Sequence, residues 1–303
     1  MKSFITTYSF KRKQIDPTSS NPPYLAWGHL LALFGAAGLL LGLAWPVLSF
    51  WWAEFTNPNS FYSHGPLVPP VAALILWRCR DRLRVVALAP APIALTLLLP
   101  AVILLVQAVR LGSGWIGSLS LLLTFASSAW LLFGSRWMRI ARPAFGFLLL
   151  MSPLPSTLLN QATFDLQLLS TTMAAHLLCL VGYHAVASGT LIALPGFTLW
   201  VAAPCSGFKL MLSMVTFGAA FALLLDGSPA RRLGLLFATL PFSLVINTVR
   251  VALIATAGAW SGPSAAYKVD AQGALITLSL SFVTFYLLAK GLQCRTLAGW
   301  PLF

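Results

Sequence analysis

The stretch LPFSLVINTVRVALIATAGAW, Leu240–Trp260, contains one charged residue, Arg250, in an otherwise apolar segment. It is long enough to cross a bilayer as a helix, for which about 20 residues are needed. The whole chain has the same character, since 58% of its 303 residues are hydrophobic and 8% are charged. A soluble protein would carry about 25% charged residues. The sequence therefore predicts an all-α membrane protein with several spans.

Apolar windows predict about eight transmembrane helices, near 25–51, 61–77, 87–109, 112–133, part of 143–182, 205–225, 232–258 and 270–290. The region 143–182 is too long for one crossing and is interrupted by Pro153 and Pro155, so we expect one part to cross and the other to be re-entrant or interfacial. The first apolar stretch is too long for the core of a cleaved signal peptide. The expected organisation is a basic, Pro-rich tail over 1–24, a transmembrane domain over 25–291 and a C-terminal tail over 292–303.

The basic residues predict the orientation. With both termini in the cytoplasm, all of the 19 Lys and Arg residues fall on the cytoplasmic side except Arg110, Lys209, Arg250 and Lys268. This distribution satisfies the positive-inside rule, and it argues against nucleic acid as the reason for the net charge of +13. The longest outer segment, 183–204, alternates like a short β-hairpin with a turn at Pro195–Gly196.

Arg250 is the most unusual residue of the spans. An arginine inside a span costs several kcal/mol unless it is paired, hydrated or functional. Ser243 and Asn247 precede it at helical spacing, so the three side chains share one face that would point into the bundle. Two interpretations stay open: an arginine that snorkels to the interface, or a fixed guanidinium that stabilises an oxyanion or binds a carboxylate.

The stretch VAAPCSGFKL, Val201–Leu210, places Cys205 at the expected outer end of the sixth span. Pro204 predicts a break before a helix N-terminus, which would lower the pKa of the thiol, and Lys209 would add positive charge on the same face. The alternative is a small packing residue, as for most cysteines in membrane helices. That reading is kept for the cysteines away from this segment, which show no zinc or disulfide spacing: Cys79, Cys179 and Cys294.

A thiol nucleophile usually needs a base. The sequence places several candidates on the expected outer side: His64, His184, Lys268 and Asp270. No P-loop, GxGxxG or metal-ligand spacing is present, and no cofactor or metal is expected.

Four segments together resemble the exosortase/archaeosortase family, over about 45–290: FYSHGPLVPP with LWRCRDRL, SPLPSTLLNQATFDLQLLST, GTLIALPGFTLWVAAPCSG and LPFSLVINTVRVALIA. The resemblance implies a polytopic membrane cysteine protease or transpeptidase at the outer face of a bacterial inner membrane. Its partners would be exported proteins with a C-terminal sorting tag, which consists of a short motif such as PEP, one membrane helix and a basic tail. An amine or water would accept the acyl group.

Carried over by position, the resemblance implies that Cys205 is the nucleophile that forms an acyl thioester. It also implies that Arg250 is the partner residue that polarises or protonates the reacting groups. The family usually has a histidine in a pattern like H-D-x-x-G before the last span. The matching stretch here, YKVDAQG, keeps Asp270 and Gly273 but has Val269 at the histidine position. The third role is therefore open between Lys268, Asp270 and His64, with Asn247 and Lys209 as supporting residues. A non-catalytic or degenerate membrane component of exopolysaccharide export or transport is the alternative function.

Overall fold

The computed structural model of the protein describes residues 23–226, 228–291, 296–297 and 300–301. The chain groups into two compact units, Met1–Trp45 and Pro46–Phe303, and the site discussed below lies in the second. The predicted tails 1–24 and 292–303 fall almost wholly outside the described residues, as does Cys294. The helices in the described part are α1 (Pro23–Thr56), α2 (Val68–Arg78), α3 (Arg80–Arg84), α4 (Leu95–Arg110), α5 (Gly114–Phe133), α6 (Ser135–Leu148), α7 (Ser156–Leu180), α8 (Phe208–Leu224), α9 (Pro229–Ser261) and α10 (Pro263–Gly291).

Four of these helical segments are long and apolar enough to cross a membrane: Gly38–Thr56, Pro92–Arg110, Gly114–Phe133 and Pro229–Ser261. Two further helical segments are apolar but shorter, Gly65–Arg78 and Phe208–Leu224. The prediction of a mainly helical membrane protein is confirmed. Eight spans, and the side on which each terminus lies, remain predictions.

The break predicted inside 143–182 is present. A 3-10 turn, Leu149–Met151, ends α6, and Pro155 precedes the first residue of α7, as expected for a residue that lacks a backbone N–H. The predicted boundary was wrong at the other end, because α6 already begins at Ser135. Its three arginines therefore lie on a helix and not in a loop, and all three are exposed: Arg136, Arg139 and Arg142.

Strands between α7 and α8 are the main departure from an all-helical chain. They form an antiparallel sheet in the order β1 (Val186–Ser188), β2 (Leu191–Leu194) and β3 (Phe197–Trp200). The hairpin turn predicted at Pro195–Gly196 is confirmed, and Gly196 has the positive φ of 77° that such a turn favours. A second pair lies near the C-terminus, β4 (Thr296–Leu297) and β5 (Trp300–Pro301).

One face of the three-stranded sheet is buried on α7 and α9. Ile192 and Leu194 are buried with Leu178 of α7 and Ala255 of α9 in one apolar cluster. Alternation along β2 directs these two side chains inward and leaves their neighbours exposed. The sheet therefore fixes the segment that follows β3 against the two helices.

The helix α9 packs against α7, α8 and α10, and α2 packs against α8. Contacts at both ends hold α2 and α8 side by side and in the same direction. Near their N-terminal ends, Lys209 Nζ donates to the carbonyl of Pro58 at 3.0 Å. At their C-terminal ends, Arg78 pairs with Asp226. The loop before α2, the start of α8 and the turn that carries Cys205 consequently lie at the same end of the bundle.

Candidate active site

Cys205 lies in a short 3-10 turn, Ala203–Ser206, between β3 and α8. The backbone of Ala202 is extended, and the N–H of Cys205 donates to the carbonyl of Ala202 at 2.8 Å. Gly207 then takes φ +83° and opens α8. A Cβ at this glycine would lie 2.6 Å from Cγ of Asn247. The turn therefore needs glycine both for its backbone and for the close approach of α9.

Asn247 fastens this turn to the bundle. Its Nδ2 donates to the carbonyl of Cys205 and to Oγ of Ser170, both at 3.1 Å. Ser170 in turn donates to the carbonyl of Ser206 at 3.1 Å. About one turn before Ser170 on α7, Gln167 donates to the carbonyl of Val201 at 3.0 Å. Asn247 is 1% exposed, so its hydrogen bonds are sheltered from water and hold the segment that carries the cysteine.

The thiol of Cys205 faces a carboxylate and a guanidinium. Its Sγ lies 3.9 Å from Oδ1 of Asp270 on α10. The same Oδ1 accepts a hydrogen bond from Nη2 of Arg250 at 2.6 Å. Residues that are far apart in the sequence therefore form one cluster, and the stripe of Ser243, Asn247 and Arg250 points into the bundle as predicted.

The aspartate and the glycine of the segment YKVDAQG, Asp270 and Gly273, both meet the side chain of Arg250. The two residues are one helical turn apart on α10, so they share a face. A Cβ at Gly273 would lie 3.3 Å from Nε of Arg250. The arginine side chain thus passes over the glycine to reach Asp270, and its Nε is buried without a hydrogen-bond partner among the described atoms.

The expected lowering of the thiol pKa was wrong. Burial raises the pKa of Cys205, the negative charge of Asp270 raises it further, and Arg250 opposes both. The dipole argument left out the burial of the thiol and the negative charge of Asp270. A raised pKa favours the protonated thiol at neutral pH, so a thiolate would form here only if a neighbouring base took the proton.

Lys209 does not join the cluster. Its Nζ is bound to the carbonyl of Pro58, and the charges that act on the thiol are those of Asp270 and Arg250. The prediction that Lys209 adds positive charge beside the cysteine therefore has no support in this geometry. Its place beside the loop before α2 makes it a bridge between that loop and α8.

His64 is buried beside α8, with 5% of its surface exposed. Its Nδ1 lies 3.5 Å from Oγ of Ser213, about two helical turns beyond Cys205 on the path of α8. Burial lowers its pKa, partly offset by backbone contact at Leu150. The described contacts tie His64 to α8 and to the end of α6, and none joins it to the thiol.

The remaining basic candidates are on the surface. Lys268 is exposed on α10, and His184 is exposed in the loop before β1. Neither has a described contact with Cys205, whereas Asp270 does. Among the described residues, no group of three His, Cys, Asp or Glu side chains is placed to hold a metal ion.

Sequence reasoning missed Ser170 and Gln167 as residues that support the turn. Both lie on α7, three positions apart and buried, so they share the face that meets α9 and the turn. The available signal was the polar content of an otherwise apolar helix. Polar side chains at helical spacing in such a segment indicate a partner inside the bundle.

These features define a membrane protein with several apolar helices, in which a half-buried turn presents a thiol to a carboxylate–guanidinium pair. The chain belongs to the transmembrane exosortase family, whose sequence model matches residues 51–287. The match covers Cys205, Arg250 and Asp270 as well as the sheet. Comparisons with curated proteins and with solved structures give no match.

Proposed function

We propose that the protein is a membrane cysteine transpeptidase or protease that cleaves C-terminal sorting tags from exported proteins. The observation that carries the proposal is the distance of 3.9 Å between Sγ of Cys205 and Oδ1 of Asp270, with Arg250 bound to the same oxygen. Membership of the transmembrane exosortase family supports it. The tag would comprise a short motif such as PEP, one membrane helix and a basic tail.

Asp270 is the base that the geometry favours for the first step. The S–H proton of Cys205 moves to the carboxylate of Asp270 while sulfur forms a bond to the scissile carbonyl carbon. The electron pair of the C=O bond then rests on oxygen as an oxyanion. The C–N bond breaks as the oxyanion collapses, and the proton on Asp270 passes to the leaving amine. The product is a thioester on Cys205, with the tag released.

Arg250 supplies the positive charge for this step. One Nη2 donor is used on Asp270, and the guanidinium has further N–H groups. Its side chain is 16% exposed, so part of it is accessible from outside the bundle. A well-placed donor to the oxyanion contributes about 3–4 kcal/mol to the transition state. The same cation keeps Asp270 in place beside the thiol.

The thioester is resolved by an amine or by water. The incoming nucleophile attacks the thioester carbonyl, Asp270 takes its proton, and the thiolate leaves and is protonated in turn. An amine acceptor gives a new amide bond and water gives the free acid. The orientation predicted from the basic residues would put this chemistry at the outer face of the inner membrane, where a tag helix would present its motif.

A second function, a degenerate relative without catalysis in exopolysaccharide export or transport, is favoured by Val269 at the family's histidine position. In that case Arg250 and Asp270 would serve only to hold α9 to α10. This alternative predicts that Cys205 can be replaced without effect.

The test is processing of a tagged fusion protein by whole cells or by reconstituted vesicles. We expect Cys205→Ala and Arg250→Ala each to leave the fusion full-length. Cys179→Ala is the matched control, because Cys179 is exposed and its thiol donates to the carbonyl of Ala185 and not to Asp270. Continued processing by Cys205→Ala would overturn the proposed function.

A further inference from the structure

The strand β3 has a free edge. The two-residue turn at Pro195–Gly196 makes Leu194 and Phe197 a hydrogen-bonded pair. From there, non-hydrogen-bonded and hydrogen-bonded pairs alternate along the two strands. Consistent with this register, the N–H of Val201 donates to the carbonyl of Thr190 at 2.9 Å. The N–H and C=O groups of Thr198 and Trp200 therefore point away from β2.

Within the part of the chain that the structure describes, no strand pairs with this edge. No described backbone hydrogen bond outside the helices and strands involves Thr198 or Trp200. Both residues are exposed, and Trp200 is 65% exposed. The inner face of the same strand is packed, since the ring of Phe197 occupies the space that a Cβ on Gly258 would take. The strand is thus packed through its inner face while its edge stays open.

The free edge leads directly to the nucleophile. Val201 and Ala202 continue β3, and the 3-10 turn that holds Cys205 follows. Five residues reach at most about 17 Å when fully extended, and the turn shortens that distance. Unpaired strand groups are not tolerated in hydrocarbon, so this edge must lie in water or at the interface, or be paired by a partner.

We propose that the substrate segment beside the scissile bond binds as an extended strand on the free edge of β3. Its backbone pairs with the N–H and C=O groups of Thr198 and Trp200, in the manner of β-strand addition. This pairing rests on the proposed function and names how its substrate is held. An extended chain exposes each carbonyl in turn, and a strand that continues toward Cys205 aims one of them at the thiol. Binding through backbone atoms leaves most side chains of the segment free to vary.

The test compares Thr198→Pro with Thr198→Val. Proline removes the outward N–H but none of the hydrogen bonds to β2, and edge strands tolerate it. Valine keeps the N–H in a β-branched residue. The probe is a membrane-anchored fusion that ends in a Pro-Glu-Pro motif, one apolar helix and a basic tail, reconstituted in vesicles with the full-length protein. We expect kcat/KM to fall roughly tenfold for Thr198→Pro and to stay within about twofold for Thr198→Val.

Two further measurements distinguish a failure of the strand pairing from a failure of the proposed function. Alkylation of Cys205 by a soluble maleimide at the wild-type rate shows that the Thr198→Pro site is intact. If Cys205→Ala abolishes processing while Thr198→Pro leaves it unchanged, the strand pairing is overturned and the proposed function stands. Processing that Cys205→Ala leaves unchanged overturns the proposed function itself.

A cross-linking experiment keeps the proposal testable if Thr198→Pro disturbs the fold. Thr198→Cys is combined with Cys205→Ser, and single cysteines are placed at successive positions just before the motif of the fusion. Because side chains alternate along a strand, we expect disulfides at every second position. Equal cross-linking at all positions, or none above the level seen with Thr198 intact, overturns the proposal.

Discussion

Replacing Asp270 by asparagine separates the reactivity of the thiol from catalysis. Asparagine keeps the size of the side chain but removes its charge and its capacity to accept a proton. The negative charge of Asp270 is one of the causes that raise the pKa of Cys205, and Arg250 is the cause that lowers it. The Asp270→Asn variant should therefore have a lower thiol pKa than the wild type, while it would lack the proposed base for the first chemical step.

The magnitude follows from the distance. Two unit charges 3.9 Å apart interact by about 1 kcal/mol in bulk water and by about 4 kcal/mol at an effective dielectric constant of about 20. The Asp270 side chain is 36% exposed, so solvent screening favours the lower figure. About 1 kcal/mol raises the thiolate fraction about sixfold. Because thiolates of lower pKa are weaker nucleophiles, the alkylation rate at neutral pH should rise about two- to threefold.

The assay measures alkylation of Cys205 against pH and processing of a tagged fusion in the same vesicles. For Asp270→Asn we expect the alkylation midpoint at lower pH and a loss of processing of about 100-fold or more, the effect of removing a general base. Asp165→Asn is the control, because Asp165 is an exposed carboxylate on α7. It should change neither measurement.

The two effects expected for Asp270→Asn have opposite signs, because alkylation of the thiol should become faster while processing is lost. Either measurement can therefore refute the reasoning. Processing within about threefold of the wild type would exclude Asp270 as the base. An alkylation midpoint that moves to higher pH would show that the charge of Asp270 does not act on the thiol as the geometry requires.

Two further variants probe the supports of the site. Gly207→Ala forces alanine to φ +83° and puts its Cβ 2.6 Å from Cγ of Asn247, so we expect at least about 1 kcal/mol of destabilisation and a clear loss of processing. Gly234→Ala is the control, because it has open space around its Cβ, and it should lower neither the stability nor the processing. Equal behaviour of the two variants in thermal unfolding and processing would contradict the proposed strain. For His64, burial lowers the pKa below its ordinary value, so the unfolded chain takes up the proton first and stability is lost as pH falls below about 6.5. His64→Gln should reduce the difference in melting temperature between about pH 7 and pH 5 in detergent, and an unchanged difference would show that another group carries the acid sensitivity.

The sequence predicted the parts of the fold that depend on local pattern. The long apolar helices follow from composition, the break before α7 from Pro153 and Pro155, and the hairpin turn from Pro195–Gly196. The strand β1 escaped prediction because its three residues are all exposed, so they show no alternation. Its place is decided by pairing with β2.

The candidate site divides in the same way. Arg250 stands out in a sequence because a charge in an apolar helix needs a reason, and Cys205 stands out because of the break before it. The partner that each contacts depends on how α9 and α10 pack, and no local pattern fixes that packing. The direction of the thiol pKa shift was mispredicted for this reason: it depends on burial and on a carboxylate 65 positions further along the chain.

Asn247 and Arg250 lie one turn apart on α9, and this has a mechanical consequence. Asn247 ties the cysteine turn to α9, so we expect the thiol of Cys205 and the guanidinium of Arg250 to move together when α9 shifts or tilts. Asp270 belongs to α10, and it meets these two groups through the Arg250 ion pair and through its contact with the Cys205 thiol. A change in bilayer thickness that tilts α10 relative to α9 would therefore change the distance between the thiol and Asp270, the proposed base. Lipid chain length would then be a means of tuning the first proton transfer of the proposed reaction.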